Sequence, residues 1–190
     1  MANLPITHAV PFLAGIWGAS EVALMLFKRS APGSSKDRNS QGLIWLAICA
    51  GIVGAIFAMI RLRAWVLPGR EGFLLAALLI FAAGIILRVY SILYLGRLFT
   101  TDVAIAADHR LVDTGPYRLV RHPSYTGALL TFLGFGLGFG NLASLLIMVA
   151  PIYAAFFWRI QVEEQALLAA MGERYKDYMK RTKRLVPWLY

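Results

Sequence analysis

Apolar blocks separated by short polar stretches organise this chain. Pro5 to Phe27 is apolar apart from His8 and Glu21, Leu43 to Ile60 carries no charge, and Phe73 to Leu95 is interrupted only by Arg88. Each is long enough to cross a bilayer as a helix. A polar stretch from His109 to Gly127 follows, HRLVDTGPYRLVRHPSYTG, and then two shorter apolar runs, Tyr125 to Phe139 and Leu142 to Trp158. Gly140 and Asn141 between these runs are a turn signal, so the pair reads as a tight helical hairpin, either two thin crossings or a re-entrant loop. Glycines at 134, 136, 138 and 140 give two overlapping GxxxG spacings, which predict close packing of the two arms. From Arg159 to Lys183 the apolar positions Ile160, Leu167, Leu168, Met171, Tyr175, Tyr178 and Met179 recur at three- and four-residue steps, predicting an amphipathic surface helix with a break at Gly172.

Composition agrees with that pattern. Hydrophobic residues make up 59% of the 190 and charged residues only 15%, against roughly a quarter in soluble domains. The expected fold is an all-α integral membrane protein of about five transmembrane helices, with a C-terminal helical hairpin and a cytoplasmic amphipathic helix. No linker divides residues 1–190, which read as a single domain: three N-terminal helices over 5–95 and a second half over 96–190. The single Cys49 cannot form an intrachain disulfide and reads as a packing residue.

Charge then sets orientation. The Lys28 to Gln41 loop carries four Lys or Arg, the Arg97 to Ser124 segment four, and the tail from Arg159 seven. If the hairpin crosses twice these lie on one side, and the positive-inside rule makes that side cytoplasmic and the N-terminus external. Basic loops meeting anionic lipid account for much of the net charge of +9, so nucleic acid is not an expected partner.

Chemistry is expected in the polar stretch, where Gly115-Pro116 and His122-Pro123 break the helix and leave at most a short helical piece between them. A plain connector has the same residue types. Broken helices at membrane level, however, also expose backbone groups that a zwitterionic ligand could satisfy. His109 and His122 lack a third ligand at metal spacing, so no metal site is expected. Arg159, Glu163 and Glu164 form a second constellation, in which Arg159 and Glu163, one helical turn apart, make either a solvated salt bridge or a pocket where a guanidinium takes an anionic group and a carboxylate takes an amine or hydroxyl.

The linked set LVDTGPYRLVRHPSYTG, a glycine-rich hairpin, EEQALLAAMGERYKDY and a closing RLVP resembles the isoprenylcysteine carboxyl methyltransferase family and its phospholipid methyltransferase relatives, over Leu95 to Pro187. The resemblance implies a membrane enzyme using S-adenosyl-L-methionine. Carried over residue by residue, it implies a cofactor site of His109, Arg110, Leu111, Val112, Tyr117, His122, Pro123, Ser124, Tyr125 and Glu163, and a substrate-holding Arg159. It also implies a lipophilic or lipidated acceptor, with membrane lipid as the other partner and oligomeric state unassigned. A methyl sulfonium is already activated and a carboxylate already ionised, so transfer needs positioning and exclusion of water more than acid–base help. The alternatives are methylation of a phospholipid or other lipid amine, a sterol-reductase-like oxidoreductase, and a non-catalytic membrane scaffold or small transporter, the last pointed to by Glu21 and Arg88 within spans unless these are snorkelling or mutually paired residues.

Overall fold

The computed structural model describes residues 4–27, 39–68, 70–100, 111–188 and 190. Its long helices follow the apolar blocks: α1 Leu4–Phe27, α2 Asn39–Arg61, α3 Arg70–Leu95, α4 Pro123–Gly138 and α5 Leu142–Met171, followed by a short α6, Glu173–Arg181. Stretches of α2, α3 and α5 (Ser40–Arg61, Gly72–Leu98 and Leu142–Met171) are long and apolar enough to cross a membrane. The protein is an all-helical integral membrane protein.

Two expectations need correction. The second hairpin arm does not stop near Trp158: α5 runs unbroken through Arg159 to Met171, because residues 159–171 hold neither Gly nor Pro and are rich in Gln, Glu, Ala and Leu. The predicted amphipathic helix over 159–183 is therefore split. Its first part continues a membrane helix, the chain breaks at Gly172 in the left-handed region (φ +54°), and α6 starts afresh. The second correction concerns the glycines. Gly134 packs not on the other hairpin arm but on α3, where an added Cβ would lie 2.5 Å from the Phe81 backbone nitrogen. Gly127 and Gly84 complete that seam, with a Cβ on Gly127 reaching 2.5 Å from the Arg88 nitrogen. Removing side chains at these turns lets the α3 and α4 backbones touch. Gly136 alone among these faces α5, against Leu145 and Met148.

Helix α5 pairs along α2. Met148, Ile152, Phe156 and Ile160 on α5 meet Ala47 and Ala55 on α2 and Ala128, Leu129 and Phe132 on α4 in one buried cluster. Small residues on α2 again allow close approach. The predicted turn is fastened at the far end: the Asn141 side chain accepts from the Ser144 amide (3.0 Å), capping α5, and donates to the Leu62 carbonyl (2.9 Å) at the end of α2. α1 lies against α3 and α4, where the Trp17 ring stands edge-on to Phe132 at 4.8 Å. These helices leave a cavity between them, lined also by residues of the polar turn.

Candidate functional site

The polar turn is built from breaks. Gly115, at φ +56°, lets the chain reverse against the Tyr94 ring, and Gly115–Arg118 form a single 3-10 turn before His122 and Pro123 start α4. Tyr94 donates to the Thr114 hydroxyl (2.9 Å), pinning the turn to α3. Tyr117 points inward and donates to the Ser91 carbonyl at 3.2 Å, while Tyr178 of α6 donates to the Tyr117 carbonyl at 2.6 Å. Burial holds the Tyr117 and Tyr178 hydroxyls well above the usual phenol range, so both stay protonated donors.

Where α4 starts, the residues of the HPSY motif turn in different directions. The His122 ring stacks on Tyr125, with centroids 5.5 Å apart and planes 17° from parallel. The Tyr125 hydroxyl donates to Glu163 Oε2 at 2.7 Å and accepts from Arg159 Nε at 3.4 Å, so one phenol links the two α5 residues. Arg159 is 2% exposed and donates from Nη1 to Ser40 Oγ of α2 at 2.6 Å. This is a guanidinium set in a buried wall, not a solvated ion pair. Ser124 accepts from Arg88 Nη1 through its hydroxyl (3.0 Å) and carbonyl (3.3 Å). Arg88 also holds the Glu21 carboxylate through two nitrogens, and Trp17 Nε1 donates to the same carboxylate at 3.0 Å. The two charges inside the first and third helices thus partner each other.

Leu111, Val112, Tyr117, His122, Ser124, Tyr125, Arg159 and Glu163 all line the cavity. Pro123 does not; it is fully buried at the first turn of α4, where its fixed φ starts the helix. His109 and Arg110 lie outside the described residues.

Along α5 the wall runs from Phe156 through Arg159, Glu163 and Leu167 to Met171, a rise of about 22 Å at 1.5 Å per residue. It has two chemistries. Around Phe156 it is mostly apolar, with Phe132, Trp17, Ile44, Trp45 and Ile48 beside the Glu21–Arg88 pair; past Arg159 it gains Glu163, His122 and Tyr117, Tyr125, Tyr175 and Tyr178, with Leu167 and Met171 among them. Aromatic faces and a carboxylate suit a cationic, hydrogen-bonding ligand, so these residues fit a sulfonium nucleoside.

Glu164, grouped by the sequence with Arg159 and Glu163, takes a different place from theirs. It is 3% exposed and accepts from Arg121 Nε (2.7 Å) and Arg184 Nε (2.8 Å), with His122 Nε2 at 3.3 Å. Backbone bonds add to this clasp, from the Arg121 amide to the Lys183 carbonyl (2.8 Å) and from the His122 amide to the Arg184 carbonyl (3.0 Å). The EE pair was the available signal, since neighbouring helix positions point about 100° apart and cannot serve one site. Ser40 and Trp17 carry no local signal at all.

Residues 75–169 match the isoprenylcysteine carboxyl methyltransferase family model. The chain is 34% identical over 108 residues to protein-S-isoprenylcysteine O-methyltransferase B of Arabidopsis thaliana, covering 56% of this chain and 55% of the relative. It is 35% identical over 103 residues to protein-S-isoprenylcysteine O-methyltransferase of Schizosaccharomyces pombe, covering 53% and 44%. It spans about half the length of the curated relatives it matches. In structure it resembles the eukaryotic intramembrane Ras methyltransferase, isoprenylcysteine carboxyl methyltransferase, with a TM-score of 0.59 and 26% identity over 80% of this chain and 54% of that one. With half of its residues in the family model, the chain belongs to the isoprenylcysteine carboxyl methyltransferase family.

Proposed function

We propose that this protein transfers a methyl group from S-adenosyl-L-methionine to the carboxylate of a lipophilic, prenylcysteine-like acceptor. The observation that carries the reading is the Arg159–Tyr125–Glu163 chain, which stands where the apolar part of the cavity meets the polar part. When bound, the cofactor supplies a methyl group already activated by its sulfonium. The remaining work falls to positioning. On the polar side, Leu111, Val112, Tyr117, His122, Ser124, Tyr125 and Glu163 hold the cofactor. Arg159, its plane fixed by Tyr125 and Ser40, orients the acceptor carboxylate by paired N–H donors. The apolar side takes the lipid chain and keeps water from the reacting atoms. By the distribution of Lys and Arg, the catalytic half faces the cytoplasm, where a water-soluble cofactor enters, while the acceptor arrives through the bilayer.

The test is methyl transfer from a methyl-labelled cofactor to a panel of prenylcysteines and phospholipid amines, measured against pH. Carboxyl methylation is expected on the prenylcysteine, with a rate that does not require high pH. Methylation confined to the amines, rising with pH as each ammonium loses its proton, would move the protein to lipid amine N-methylation.

A further inference from the structure

Four tyrosines line the polar side of the cavity, and three spend their hydroxyls within the fold. Tyr117 donates to the Ser91 carbonyl, Tyr125 to Glu163 and Tyr178 to the Tyr117 carbonyl. Tyr175 differs. It is 2% exposed, and its hydroxyl is the buried side-chain polar atom that finds no partner among the described residues. Buried polar groups are paired in nearly all native folds, because leaving one unpaired costs stability, so an orphan in a cavity wall points to a partner from outside the chain.

Its surroundings say which partner. Tyr175 sits on α6 one turn past the Gly172 break, its ring edge-on to Tyr178 with centroids 5.9 Å apart. The charges acting on its hydroxyl are those of Glu164, Glu163 and Arg121, and of these Glu163 and Arg121 line the polar side of the cavity, where Tyr175 itself stands. Burial, reinforced by the two carboxylates, keeps the phenol protonated, hence a donor. Resting on the methyltransferase reading, we propose that Tyr175 is a further cofactor-binding residue, its hydroxyl donating a hydrogen bond to an acceptor atom of the S-adenosyl group. The residue lies beyond the stretch 75–169 that matches the family model.

The experiment uses the full chain in detergent and the single change Tyr175→Phe, which deletes the hydroxyl and keeps the ring. Isothermal titration with S-adenosylhomocysteine should show affinity lowered about fivefold, the worth of one hydrogen bond. Thermal unfolding without ligand should show a midpoint unchanged or raised, since the variant loses only an unpaired polar atom. Wild-type affinity in the variant overturns the inference. So does a lowered ligand-free midpoint, which would mean that the hydroxyl serves the fold. If the wild type itself fails to bind S-adenosylhomocysteine, the cofactor reading falls and this inference with it.

Discussion

Glu163 and Glu164 are consecutive on α5 yet belong to two different regions. Glu164 lies in a clasp, surrounded by Arg121, His122 and Arg184, and does not line the cavity. Glu163 faces the cavity and is tied to Tyr125 and, through it, to Arg159. The clasp joins the start of α4, the C-terminal third of α5 and the C-terminal tail, three segments apart in sequence. The cavity beside it is lined by the first two of those segments together with α1, α2, α3 and α6. Glu164 is spent on the scaffold, whereas Glu163 faces the open volume.

Breaking the clasp should have the largest effect. Glu164→Leu strips three basic side chains of their shared carboxylate, and removing one member of a buried ion cluster costs about 3–5 kcal/mol. Unfolding in detergent should show a sharply lowered midpoint; a midpoint equal to wild type would mean that the clasp holds nothing. The parallel change on the other face should act differently. Glu163→Gln keeps the shape and leaves Tyr125 an acceptor, so stability should stay within about 1 kcal/mol, while S-adenosylhomocysteine affinity falls about tenfold, roughly 1.4 kcal/mol. Equal titration curves for variant and wild type would remove Glu163 from the cofactor site. If the two variants behave alike, the division between clasp and cavity is wrong.

Much of the scaffold was legible because its signals are local. Apolar runs located the long helices, Gly140-Asn141 the turn, Gly172 the break and the two X-Pro steps the short polar turn. What escaped depends on contacts between distant segments. GxxxG spacing says that a backbone will come close but not which one, so Gly134 was assigned to α5 when its neighbour is α3. The run from Trp158 to Arg159 looked like a boundary because charge begins there. A helix ends only where its backbone must, and nothing forces that before Gly172. In the site, the resemblance pointed to His122, Ser124 and Tyr125, which do line the cavity, and periodicity to the i, i+4 pair. The bond from Arg159 to Ser40, 119 positions away, and the roles of Trp17, Glu21 and Arg88 follow only from packing. Glu21 and Arg88, two charges in apolar spans, read as a transport path or as snorkelling or mutually paired residues, and the fold makes them a pair.

The central claim is that Arg159 orients an acceptor carboxylate and leaves the cofactor to its neighbours. Arg159→Lys retains the positive charge and loses the planar paired donors. The decisive measurement is the rate of carboxyl methylation of a prenylcysteine by this variant, taken together with its S-adenosylhomocysteine affinity by titration. The account predicts a rate lowered about a hundredfold, corresponding to about 2.7 kcal/mol of transition-state stabilisation, with cofactor affinity within about twofold of wild type. A wild-type rate in the Lys variant would contradict the role given to Arg159, and a matching loss of cofactor affinity would place this arginine in the cofactor site instead.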